Sequence, residues 1–149
     1  MSADDPPPPI LASEAQYQRT ILDAAKLLGW RTAHFRPART RQGWRTAVGG
    51  DGAGFPDLLL VHALAGLVWF VELKRDDNRR LRPEQIEWRD DLIRAGAKHR
   101  VVYLPSELNG FLADLREVPR SRIAAERALR QAESVATASS GTRAADGPG

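Results

Sequence analysis

Two short apolar runs, joined by a link containing Gly66, constrain this chain more than any other feature. Residues 57–61 read DLLLV and residues 67–75 read LVWFVELKR. Runs of this length, rich in Val, Leu and aromatic residues, predict two paired strands. Strand side chains alternate between faces. Val68, Phe70, Glu72 and Lys74 therefore share one face, and Asp57, Leu59 and Val61 share a face on the preceding strand. If residues 63–66 close a four-residue hairpin, His62 stands opposite Leu67. The same register sets Asp57 opposite Glu72, about 5 Å away.

Two carboxylates facing each other are unfavourable unless something compensates. A divalent cation does so. Mg²⁺ takes hard oxygen ligands, commonly one or two carboxylates with waters and phosphate oxygens. The backbone carbonyl of Leu73 could add a further oxygen, and Lys74 would stand ready to orient a water or offset phosphate charge. A plain surface salt bridge between Glu72 and Lys74 fits the same residues.

The rest of the chain frames this hairpin. Residues 1–12, with the run DDPPPP, form a Pro-rich lead-in without core residues. Ser13, with Gln16 three positions on, makes a capping box for a first helix ending at Gly29. Tyr17, Ile21, Ala24, Ala25 and Leu28 fall on one face of it. Residues 30–36 read as a weak strand, and 37–54, polar and glycine-rich, as a mobile loop. A second helix starts at Pro83 and stops near Gly96. RVVYL at 100–104 is a further strand. Residues 106–117 and 121–134 are candidate helices, and 136–149 has the composition of a disordered tail. The order α-β-β-β-α-β, then helices, makes an α/β chain of the α+β kind: a mixed sheet with helices packed against it.

Three polar residues interrupt the apolar helix faces. Glu14 falls on the azimuth of Ile21, either as an acid favouring the helix dipole or as a third acid of the site. Gln85 lies near the centre of the apolar arc of Trp88, Leu92 and Ile93, either as a first-turn cap or facing the site. Arg89, in the same arc, either snorkels at the core edge or reaches a phosphate.

Charge narrows the partner. The net charge is only +3, but residues 31–46 hold five arginines and no acid, and 74–82 hold five cations against two acids. Two basic clusters flanking the acids fit a polyanion, and equally an arginine-rich solvated loop. The 149 residues contain no cysteine, which excludes a disulfide framework and Cys-ligated zinc. The N-terminus has no basic region followed by an apolar one, and no apolar run reaches the length of a membrane span, so a soluble intracellular (cytoplasmic) protein is expected, with no membrane partner.

GFPDLLLV, FVELKR and LRPEQIEW, with SEAQYQRTILDAAKLLGW before them and GAKHRVVYLPSEL after, resemble the PD-(D/E)XK nuclease superfamily. Within it they are similar to the virus-type replication-repair nuclease branch, the VRR-NUC domain, over residues 13–117. The resemblance implies a restriction-endonuclease-like αβββαβ core, with 118–135 as a C-terminal helix outside it. It implies an Mg²⁺- or Mn²⁺-dependent phosphodiesterase with no small-molecule cofactor. Asp57 and Glu72 would be metal-binding acids, Lys74 the catalytic lysine, Glu14 a further ligand and Gln85 the glutamine that follows the motif. Small stand-alone members of the branch look like phage-type proteins of bacterial hosts that act as homodimers on branched DNA, including Holliday junctions. The Arg-rich insert 37–51 departs from the pattern.

The expected function is a structure-selective DNA endonuclease for branched DNA, such as junctions or flaps, in replication, repair or recombination. Arg36, Arg39, Arg41 and Arg45 would hold the phosphate backbone on one side, and Arg75, Arg79, Arg80 and Arg82 on the other, with Arg89 in reach. Phosphate contacts of this kind read shape rather than base sequence. The alternatives are a non-catalytic nucleic-acid-binding module on the same fold, or an interaction protein whose charges are ordinary surface pairs. A pure binder, however, has no need of the full acid-acid-lysine set.

Overall fold

The computed structural model describes residues 13–35, 37–41, 43–46 and 49–142. The lead-in, Arg36 and the last seven positions lie outside the described residues, as do the side chains of 37–40 and 43–46. Helix α1 runs Glu14–Leu27 behind the expected capping box. Gln16 N–H donates to Ser13 Oγ at 3.2 Å, and Ser13 N–H to Gln16 Oε1 at 2.6 Å. Gly29, at φ 87°, turns the chain out of the helix in the left-handed region.

Strands β1 (Arg31–His34), β4 (Leu58–His62), β5 (Leu67–Arg75) and β6 (Lys98–Leu104) form one mixed sheet in the order β1-β4-β5-β6. β1 and β5 flank β4 antiparallel, and β6 joins β5 in parallel after the crossover helix α2 (Pro83–Arg94). The central hairpin holds the expected register: His62 faces Leu67 and Leu58 faces Val71. One step further brings Asp57 to Glu72.

The sheet's two faces differ. Leu58, Leu60, Trp69, Val71 and Leu73 pack on one side against Ile21 and Ala25 of α1 and Phe111 and Leu115 of the last helix. On the other side Phe55 meets Phe35, Phe70 and Trp88 edge to face, with ring centroids 4.9, 6.0 and 5.0 Å apart. These rings seat α2 on the sheet.

Two expectations are corrected. The stretch read as a mobile loop contains a hairpin, β2 (Pro37–Thr40) paired antiparallel with β3 (Gly43–Thr46) in a separate two-stranded sheet. Its strands are polar and lack the apolar alternation that would have marked them. The two C-terminal helix candidates are one helix, α3, Leu108–Thr142, which also takes in the start of the expected tail. It passes through Pro119, which cannot donate to the carbonyl of Leu115 four residues earlier. That carbonyl instead accepts the indole N–H of Trp30 at 2.8 Å. A donor from the other end of the core replaces the lost helical bond.

Candidate active site

Asp57 is set in place by the backbone before it. Gly54 has φ 77°, and a Cβ there would lie 2.4 Å from the carbonyl carbon of Glu84. Only glycine lets this turn lie directly on the first turn of α2. The Trp88 indole donates to Asp51 O at 2.9 Å and ties the same loop down. Asp57 then reaches across to β5, where its Oδ2 accepts Leu73 N–H at 2.8 Å. In a strand, one residue's N–H and C=O point to the same edge. The Leu73 carbonyl is therefore aimed along the edge that carries Asp57.

Glu72 is buried, with 3% of its side chain exposed. Lys74 Nζ lies 3.8 Å from its Oε1. The Gln85 amide N–H₂ donates to the same Oε1, while Gln85 Oε1 accepts Arg82 N–H at 2.9 Å. The two readings of Gln85 are thus both present: it caps α2 and it faces the site. Asp57, Glu72, Lys74 and Gln85 open with Glu14 onto a cleft of about 530 Å³.

Burial is the main electrostatic fact here. With Asp57 as the second cause, it raises the Glu72 pKa to about 8 against the opposing pull of Lys74 and Arg82. Burial also pushes Asp57 up to about 6, against the pull of the Leu73 N–H and with a further push from Glu14. Two acids that resist carrying charge together suit a divalent cation, which removes the penalty on both. The oxygens present fit such an ion: the two carboxylates and the Leu73 carbonyl, with the open cleft left for water or phosphate oxygens. Among the described residues no group of three or more His, Cys, Asp or Glu side chains could hold a metal ion. Glu14 lines the cleft, exposed, at the start of α1.

The expected cations divide into two sets. Arg75, Arg80 and Arg82 line the cleft. Arg75 is engaged with Asp77 at 3.1 Å, whereas Arg80 and Arg82 make no ion pair among the described residues. Arg79 does not line the cleft. It pairs with Asp76 at 2.9 Å and lies 4.5 Å over the Tyr103 ring. Arg89 pairs with Asp90 at 2.7 Å, away from the cleft. Arg41 is exposed at the β2–β3 turn. The side chains of Arg36, Arg39 and Arg45 lie outside the described residues.

Asn78 and Leu81 line the cleft without having been singled out in the sequence. The loop that carries them is anchored by Asp76, which accepts Ser106 N–H at 2.9 Å and Ser106 O–H at 2.6 Å. Neither residue has a local signal, because the anchor spans 30 residues.

A mixed sheet in αβββαβ order, with paired acids and a lysine at the end of its central hairpin, defines a nuclease-type fold. The sequence model of the VRR-NUC domain matches residues 13–104, and the chain belongs to that family. A solved structure described as a VRR_NUC domain is 25% identical, with a TM-score of 0.50, over 67% of this chain and 94% of that one. No curated protein matches the sequence. Among the described residues no helix is long and apolar enough to cross a membrane.

Proposed function

We propose that the chain is a metal-dependent DNA endonuclease that selects branched substrates, acts as a homodimer and works in the cytoplasm, in keeping with a phage-encoded protein. The observation that carries this reading is buried Glu72 beside half-buried Asp57, with Lys74 3.8 Å from Glu72, opening on an arginine-lined cleft. Asp57, Glu72 and the Leu73 carbonyl would hold Mg²⁺ or Mn²⁺, with Glu14 as a further acid within the cleft. When bound, the ion would supply charge neutralisation at the scissile phosphate and a water of lowered pKa.

The chain's own residues do the rest. Lys74 offers its ammonium to a phosphate oxygen or to the attacking water beside Glu72. Gln85 fixes the Glu72 carboxylate by donating to one of its oxygens, which leaves the other free to accept a ligand. Arg80 and Arg82 neutralise flanking phosphates, and Arg41 extends the contact from the β2–β3 hairpin. Charge without base-edge recognition favours shape over sequence.

The test is cleavage of a four-way junction, a flap and a plain duplex with Mg²⁺ or Mn²⁺. Junction or flap cleavage that disappears in Asp57→Ala supports the reading. Equal cleavage by Asp57→Ala and the natural chain overturns it. Calorimetry should find a metal site that is lost in Glu72→Ala.

A further inference from the structure

Helices α1 and α2 start on the same four-residue plan, with one exception. Each carries a glutamine at its third position, Gln16 and Gln85. Each glutamine accepts the N–H of the residue that precedes the helix, at 2.6 and 2.9 Å. In α1 that residue is Ser13, whose Oγ completes the box by accepting Gln16 N–H at 3.2 Å. In α2 it is Arg82. A guanidinium has no acceptor atom, so it cannot complete the box. It also sets a cation at the positive end of the helix dipole. Serine, threonine or aspartate there would stabilise α2 more.

What the helix forgoes, the cleft receives. Arg82 lines the cleft with Asp57, Glu72 and Lys74. It makes no ion pair among the described residues, whereas Arg75 in the same cleft is engaged by Asp77 at 3.1 Å. Its backbone is fixed two hydrogen bonds from Glu72. Arg82 N–H donates to Gln85 Oε1, and the other end of that amide donates to Glu72 Oε1. The charges of Lys74 and Arg82 both favour ionisation of Asp57 and Glu72.

Phosphodiester hydrolysis gives such a group a task. As the water oxygen bonds to phosphorus and the bond to the leaving oxygen breaks, one proton leaves the water and one is taken up by the leaving oxygen. Negative charge grows meanwhile on the non-bridging oxygens. A planar guanidinium matches two of those oxygens with parallel N–H bonds, which the point charge of Lys74 does not.

We propose that Arg82 is a catalytic residue that clasps the non-bridging oxygens of the scissile phosphate, set at the entry of α2 in place of a helix cap. Arg80 is left with the flanking phosphates. The inference rests on the nuclease reading and deepens it.

The experiment compares Arg82→Ser, Arg82→Lys and Arg80→Ser in the full chain. Thermal unfolding without metal or DNA reads the cap. Arg82→Ser should melt about 2–5 °C above the natural chain, because serine completes the box. Arg82→Lys, with no acceptor, should melt with the natural chain. Cleavage of the four-way junction or flap with Mg²⁺ or Mn²⁺, over a substrate series, separates kcat from KM. Arg82→Ser should lose about a hundredfold in kcat. Arg82→Lys should regain part of that, since it keeps the charge but not the fork. Arg80→Ser should raise KM more than it lowers kcat. Calorimetry should find the metal site intact in Arg82→Ser. A natural chain that cuts none of the substrates overturns the nuclease reading and this inference with it. A natural chain that cuts, with Arg82→Ser altered in KM alone, overturns only the inference. Loss of the metal site in Arg82→Ser would trace the slow cleavage to the metal and overturn it as well. An Arg82→Ser chain that melts no higher than the natural one overturns the exchange of a cap for a catalytic group.

Discussion

Glu72 and its strand neighbours Val71 and Leu73 are almost equally buried, at 3%, 0% and 4% exposure. Val71 and Leu73 face the apolar side of the sheet, where burial stabilises the fold. Glu72 faces the other side, where burial opposes its charge. Alternation along one strand thus puts the fold's support and the site's liability on successive residues. Burial is the same on both faces; only what fills the second face makes it a site. There Gln85 and Lys74 hold an acid that the apolar face could not accept.

If that contrast is right, perturbing the two faces has opposite consequences. The largest effect is expected at the acids. Asp57→Asn should lower cleavage by about a thousandfold while the melting temperature holds or rises, in a cleavage assay paired with thermal unfolding. On the apolar face, Phe111→Ala should cost about 3–5 kcal/mol of unfolding free energy in a denaturant titration, because it empties a fully buried ring site.

Glu72 gives the sharper test. Its folded pKa, about 8, lies above the ordinary 4.5. The associated stability is therefore full below the ordinary value and declines as pH rises through about 8. Without metal, the melting temperature should fall as pH rises across that window. Glu72→Gln should flatten the slope above about pH 6, leaving below it the part owed to Asp57, and gain roughly 1–3 kcal/mol at the alkaline end, while losing metal binding. Metal affinity should run the other way and tighten as pH rises, because the ligands must be deprotonated. A natural protein whose stability is flat with pH would sink this account. The smallest effect is expected at Trp30→Phe, which leaves the Leu115 carbonyl without its donor. It should cost about 1–2 kcal/mol in the same denaturant titration, and the loss should shrink when Pro119→Ala restores an in-helix donor.

The register of the central hairpin was legible because a strand's period of two leaves little freedom once the link is fixed. Ser13 and Gln16 were legible because a capping box is local. Gln85 stood out as an amide within an apolar arc. The continuity of α3 was hidden, because the Pro119 defect is repaired by an indole 85 residues away from Leu115. The β2–β3 hairpin was hidden because its pairing has no apolar face to announce it. Phe55 fell between the expected loop and the expected strand and drew no reading of its own, although it meets three other rings and seats α2 on the sheet. The arginines read as one basic surface. The structure occupies Arg79 and Arg89 with neighbouring acids and leaves Arg80 and Arg82 to the cleft.

Gln85 uses both ends of one amide, thirteen residues from the acid it touches. Few side chains could stand in its place. Glutamate would still cap α2 but would present a third carboxylate to Glu72. Lysine would still reach Glu72 but would leave the Arg82 N–H without its acceptor. Asparagine is a methylene too short to serve both. The position therefore works as a spelling rule for this architecture. A chain with the acids and the lysine but no glutamine at that interval would have to hold its second acid by some other means.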